Sequence, residues 1–306
     1  MKITRRDILK LGAVAGAAVT LGPQQLFAQS KALILKKIPS SSEAIPPIGI
    51  GTNRYGVGTS EYERAPLRAT LKKFQELGGK LIDTAPMYGS SEAVLGDLIS
   101  ELGIRKQLFL ATKTDMFGRL HGGDSYQQSL DRLKTDKVDL MQVHNLANTA
   151  NELAAMREWQ QAGKIKYIGV TTSQARQFAD MEKVMNAEKL DFVQLNYSLD
   201  DREAAERLLP LALDRGMAVL VNLPFGRGRL FKMTANQQLP GWAADFDCES
   251  WGQFFLKYII SHPAVTCAIP GTRKVKHAID NFGAAMGRLP DAAQRKQQEQ
   301  FFDSLA

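Results

Sequence analysis

The chain has 306 residues, 44% hydrophobic and 23% charged, with a formal net charge of +7 and two cysteines, Cys248 and Cys267. That length and apolar content suit one large α/β barrel or two small domains, each with a sizeable core. Two cysteines exclude a disulfide framework or a thiolate metal site, and no His/Asp/Glu set stands at ligand spacing, so no metal is expected.

The first ten residues carry Lys2, Arg5, Arg6 and Lys10. A mildly apolar, Gly/Ala-rich stretch from Leu11 to Leu21 follows, and the chain then reaches Leu26-Phe27-Ala28. A basic end, a short apolar run and a small-residue site form a secretory signal cut near Ala28, which separates residues 1–28 from 29–306. The string Thr4-Arg5-Arg6-Asp7-Ile8-Leu9-Lys10 resembles the twin-arginine pattern. That likeness implies export of an already folded chain by the Tat translocon to a periplasmic or other extracytoplasmic place. A spanning helix needs about 20 apolar residues, so no permanent membrane anchor is expected. Residues 1–28 hold four cations and one anion, a net +3, and their removal takes +7 to +4. So mild a charge, without a basic stripe, predicts no nucleic-acid partner.

Next, Ala32 to Lys37 and Ala44 to Ile50 can pair as a hairpin closing the floor of a barrel. From there short apolar runs alternate with segments of helical period. Strands are predicted at Ile48 to Gly51, Lys80 to Asp83, Leu108 to Lys113, Val138 to His144, Ile165 to Val170, Phe192 to Asn196, Ala218 to Val221 and Val265 to Ile269. Each is apolar without alternation, as a parallel strand covered on both faces should be. Between them, Leu67, Leu71, Phe74 and Leu77 recur at helical spacing before Gly78-Gly79 ends the pattern. Further helices are predicted near Glu92 to Leu102, Ser125 to Leu133, Ala150 to Ala162, Ala175 to Ala187, Arg202 to Asp214, Ser250 to Ile260 and Lys274 to Met286. Eight such units point to a single (β/α)8 TIM barrel, with a short helix in Leu289 to Ala306. A doubly wound open sheet is the alternative, weakened by the lack of a Gly-x-Gly-x-x-Gly turn after the first strand. The aperiodic segment Phe231 to Cys248 is a candidate lid. Trp242 and Trp251 line the pocket, pack in the core or sit in an exposed loop. Cys267 reads as a buried small hydrophobe, with a bridge to Cys248 the minor alternative.

In such a barrel the C-terminal strand ends converge on one mouth, where Asp83, Lys113 and His144 fall, with Tyr88 in the loop behind Asp83. Three ionisable groups there each carry a desolvation cost unless they pair, which marks a site. These residues sit in strings that resemble successive signatures of the aldo/keto reductases: Ile82-Asp83-Thr84-Ala85-x-Met87-Tyr88-Gly89, Ala111-Thr112-Lys113, Asp139-Leu140-x-Gln142-Val143-His144, Gly163-Lys164-Ile165-x-Tyr167-Ile168-Gly169-Val170, Gln194-Leu195-Asn196-Tyr197 and Ile269-Pro270-Gly271-Thr272-Arg273. The likeness runs in order through nearly all of residues 29–306.

It implies an NADP(H)-dependent oxidoreductase acting on a small-molecule carbonyl substrate, with Asp83, Tyr88, Lys113 and His144 catalytic. A free phenol is a poor acid near neutrality, so Tyr88 needs help to protonate the carbonyl oxygen. Lys113 favours the phenolate, Asp83 holds Lys113, and His144 orients the substrate oxygen. The resemblance places the cofactor against Gly51, Thr52, Asp83, Thr171, Thr172, Gln194 and Asn222. Pro224, Phe225, Gly226 and Arg227 form a pyrophosphate strap. Gly271, Thr272 and Arg273, then His277, Asp280 and Asn281, face the adenosine 2′-phosphate end, which favours NADP over NAD. Two positions depart from the family: Thr172 replaces the usual Asn, and Asn222 stands where an aromatic ring commonly stacks on nicotinamide. A dinucleotide-binding sensor or accessory barrel with little turnover is the competing function; a metal-dependent hydrolase ranks last.

Overall fold

A computed structural model of the chain describes residues 31–114 and 123–305. The signal sequence, with its cut near Ala28, lies outside them. Residues from Ala32 onward form one compact unit.

The ten strands are β1 (Lys36–Lys37), β2 (Ala44–Ile45), β3 (Ile50–Gly51), β4 (Leu81–Asp83), β5 (Phe109–Lys113), β6 (Val138–Val143), β7 (Ile165–Thr171), β8 (Phe192–Asn196), β9 (Ala218–Asn222) and β10 (Val265–Ala268). β3 to β10 pair in sequence order, every neighbour parallel. Parallel bridges Ile48–Ala268 and Gly51–Gly271 join the two edges, with Gly49 N donating to Ala268 O at 2.8 Å, so the sheet closes on itself. Two glycines permit that closure: a Cβ on Gly49 would lie 2.8 Å from Leu81 O, and one on Gly51 2.8 Å from Ile269 O. All eight predicted strands are present, each within two residues of its expected ends.

Side chains alternate along each strand, and one set from every second residue fills the barrel. Leu81, Phe109, Ala111, Leu140, Tyr167, Phe192, Ala218, Leu220, Cys267 and Ile269 form this inner cluster. Ile38 and Ile45 join it, both fully buried, because β1 and β2 pair antiparallel and plug the N-terminal end. The predicted floor hairpin is there, with shorter arms than expected. The larger cluster lies between sheet and helices, where Leu67, Leu71 and Phe74 of helix Glu61–Glu76 bury the predicted stripe.

Three expectations change. The helix read over Arg202 to Asp214 is a 3-10 turn, Glu203–Ala205, followed by helix Leu208–Asp214. Pro210 lacks an N–H, so it sits in the first turn of a new helix rather than inside a longer one. Residues 231–248 are no free-standing lid. They contain the end of helix Arg229–Met233 and a 3-10 helix Gly241–Phe246, with Ala243 and Phe246 fully buried. Trp242 meets Phe254 at 5.6 Å and Phe301 at 6.0 Å between ring centroids, and Trp251 stacks on Phe255 at 5.7 Å. Both tryptophans therefore pack beneath the C-terminal helix Ala292–Asp303. Asp291 and Gln294 cap that helix reciprocally, and Arg295 anchors it through the Tyr197 hydroxyl at 2.8 Å. Cys248 and Cys267 are both free and buried.

Candidate active site

The inner cluster turns polar toward the C-terminal mouth by the same two-residue period. Leu81 is followed by Asp83, Ala111 by Lys113, Leu140 by Gln142 and His144, Phe192 by Gln194, and Leu220 by Asn222. All but Asn222 are buried.

Lys113 Nζ donates to Asp83 Oδ2 at 2.7 Å and to Thr84 O at 2.8 Å. The other carboxylate oxygen of Asp83 accepts from Gln142 Nε2 at 3.1 Å and Gln194 Nε2 at 2.9 Å. Burial by itself pulls the Lys113 ammonium down, yet the Asp83 carboxylate and the Tyr88 phenol, each hydrogen-bonded to it, hold its pKa above the ordinary lysine value. The ammonium lies 5.2 Å from the centre of the Tyr88 ring. Tyr88 is half-buried and meets the His144 ring edge to face, 6.2 Å between centroids. Residues from three strand ends and one loop thus form one constellation. Its half-buried phenol ring is backed by the Lys113 ammonium.

Gln142 went unassigned in the sequence reading, although its place two residues before His144 puts it on the same inward face. Tyr55 adds a tie across the rim. It is fully buried, and its hydroxyl donates to Thr272 O at 3.0 Å, tying the loop after β3 to the loop after β10.

The expected cofactor positions fall along the same rim, with differing commitments. Thr52 donates its hydroxyl to Asp83 O at 2.9 Å and so supports the backbone at the end of β4. Thr171 donates to Gln194 Oε1 at 2.9 Å; both ends of the Gln194 amide are therefore engaged within the protein. Thr172 donates to Gln177 Oε1 at 2.6 Å, and Asn222 Nδ2 donates to Thr172 O at 2.9 Å. The strap Pro224 to Arg227 turns sharply: Leu223, Gly226 and Arg227 have φ of 50°, 53° and 56°. A Cβ on Gly226 would meet Asp200 Oδ2 at 2.8 Å, and with its φ of 53° the position suits glycine. Phe225 packs on Phe231 at 4.9 Å. At the helix after β10, Val275–Gly283, and the loop before it, Gly271, Arg273 and His277 are exposed, while Thr272 and Asn281 are buried. Partial burial and then Lys276 and Lys274 lower the His277 pKa. Asp280 turns to Gln253 Nε2 at 3.3 Å, against the neighbouring helix.

A nicotinamide dinucleotide phosphate fits this rim on two observations. Asn222 Oδ1 is buried without a donor among the described residues, as an acceptor awaiting an amide would be. Arg227, in the loop after β9, and Arg273 and Lys274, in the loop after β10, are exposed and have no carboxylate partner among those residues, as phosphate-binding cations would.

Comparisons with known proteins give the family and the fold. The aldo/keto reductase family profile matches residues 47–298, and the profile of the TAT (twin-arginine translocation) pathway signal sequence matches residues 2–22. The chain is 33% identical over 223 residues to the aldo-keto reductase YhdN of Bacillus subtilis, spanning 65% of this chain and 66% of that one. It is 28% identical over 242 residues to an NADH-specific methylglyoxal reductase of Escherichia coli, spanning 68% and 73%. In fold it resembles an aldo-keto reductase from Klebsiella pneumoniae in complex with NADPH, with a TM-score of 0.73 and 23% identity over 89% of this chain and 95% of that one.

Proposed function

We propose that this chain, which belongs to the aldo/keto reductase family, is an exported NADPH-dependent reductase that converts an aldehyde or ketone to an alcohol. The single observation that carries the reading is the buried Lys113–Asp83 pair at 2.7 Å set behind the half-buried Tyr88 phenol.

NADPH, when bound, supplies the hydride that reaches the carbonyl carbon. Asn222 would hold its carboxamide end at the rim formed by Thr171, Thr172 and Gln194, Gly226 and Arg227 its pyrophosphate, and Arg273 with Lys274 its 2′-phosphate. The protein's own part is to give a proton to the oxygen. Tyr88 donates it, and the Lys113 ammonium stabilises the phenolate that remains. Asp83 holds that ammonium in place, with two glutamine amides fixing the carboxylate. His144, whose ring meets the Tyr88 ring edge to face, would orient the carbonyl oxygen beside the phenol hydroxyl. Asn222 offers no aromatic face to the nicotinamide, so carboxamide and phosphate contacts would carry cofactor binding. The twin-arginine signal supports folding and cofactor loading before export to an extracytoplasmic space, because that pathway carries folded chains.

Titration of the protein lacking residues 1–28 with NADPH and NADH, then turnover of a carbonyl panel beside Tyr88→Phe, tests the reading. NADPH should bind more tightly than NADH, and Tyr88→Phe should keep that affinity while losing reduction by about a hundredfold or more. Equal turnover by both proteins would remove Tyr88 from its role.

A further inference from the structure

Beyond the four mouth residues, one side chain joins the two halves of the site. Gln177 ends the 3-10 turn Ala175–Gln177 that follows β7. Its Oε1 accepts from the Thr172 hydroxyl at 2.6 Å, and its Nε2 donates to Asn145 O at 3.0 Å. Asn145 directly follows His144, in a loop where Asn145, Leu146 and Asn148 all take left-handed φ of 51°, 57° and 52°. L side chains rarely adopt that conformation, so the loop holds its shape only where its surroundings impose it. On the other side, Thr172 is fully buried and its carbonyl accepts from Asn222 Nδ2 at 2.9 Å. One run of hydrogen bonds therefore links the end of β9, the end of β7 and the loop behind His144.

We infer that Gln177 is a positioning residue, whose amide ties the Thr172 rim of the dinucleotide subsite to the loop that carries His144. The inference rests on the reductase reading for its catalytic consequence, though not for its geometry. The amide is oriented: the acceptor faces the cofactor rim and the donor faces the loop. Glutamate keeps the acceptor and loses the donor, while leucine loses both, so the two ends can be separated.

The experiment compares Gln177→Glu, Gln177→Leu, Thr172→Val and the Thr172→Val/Gln177→Leu double variant in NADPH affinity, carbonyl kcat and KM, and hydrogen exchange over residues 145–149 of the cofactor-free protein. Both Gln177 variants should exchange faster at 145–149, with no change in the barrel strands, and should lose about tenfold in kcat, the size of one hydrogen bond. Gln177→Glu should keep NADPH affinity within about twofold, whereas Gln177→Leu should weaken it severalfold. Thr172→Val should add nothing to Gln177→Leu in exchange over residues 145–149, because for that loop both remove the same link. Wild-type exchange and kcat in both Gln177 variants would overturn the inference. Faster exchange throughout the barrel, with the two variants alike in NADPH affinity, would also overturn it. If the wild-type protein reduces no carbonyl at all, the reductase reading fails by itself, and local exchange and NADPH affinity still decide for or against the strut.

Discussion

Replacing Lys113 with methionine isolates the charge at the centre of the site. The two side chains are close in volume, so the change leaves little cavity. Lys113 is 1% exposed and Asp83 3%, so water cannot compensate the carboxylate that remains. Gln142 and Gln194 still donate to one of its oxygens, but no cation is left. Breaking one side of a buried pair costs about 3–5 kcal/mol. At about 2–4 °C per kcal/mol in a domain of this size, the melting temperature should fall by roughly 10 °C. Adding Asp83→Asn removes the orphaned charge and keeps an oxygen for the two glutamine amides. The double variant should therefore regain at least half of the lost stability while remaining inactive. The folded pKa of Lys113 is raised, so the pair's contribution is complete below the unfolded lysine value and is lost only as pH rises through the folded one. Urea unfolding and calorimetry at pH 7 measure it in full. A Lys113→Met midpoint equal to wild type, or a double variant weakened by the sum of the two single losses, would refute the reasoning.

Three further outcomes are expected. Arg273→Met should weaken NADPH binding by about tenfold and leave NADH nearly unchanged, since one charge-assisted contact to the 2′-phosphate is lost; fluorescence titration of both cofactors measures the difference. His262 is held down to about 4, first by burial and then by Arg295 and Lys36, and its Nδ1 accepts from Ala264 N at 3.2 Å. The unfolded chain takes up that proton first, so wild-type stability should drop as pH falls from about 6.5 toward 4; in His262→Gln the urea midpoint should depend less on pH over that window. Gly226→Ala meets both a positive φ and Asp200 Oδ2 at 2.8 Å. It should cost about 1–3 kcal/mol and weaken dinucleotide binding, read by melting temperature and titration.

Asp83, Lys113 and His144 were legible as neighbours once the strand pattern pointed to a barrel, because charged residues ending apolar strand runs need partners. Tyr88 was harder, since a tyrosine in a loop carries no such signal; only the ordered family strings single it out. Gln142 is the instructive omission, inward by the two-residue period that places Leu140 and His144, yet neutral and so unmarked by charge. Gln177 gave no signal at all, because its two partners lie 5 and 32 residues away along the chain.

The sequence by itself determined the eight βα units, the barrel they close into, the export signal and the identity of the four mouth residues. Those features rest on local periodicity and short strings, which any stretch of chain displays alone. Tertiary structure decided the rest: the packing of residues 231–248 under the C-terminal helix, the commitment of Thr52 and Gln194 to Asp83, and the link through Gln177. Each of these depends on which distant groups barrel closure brings within hydrogen-bond or van der Waals reach, and no local pattern encodes a distance across the barrel.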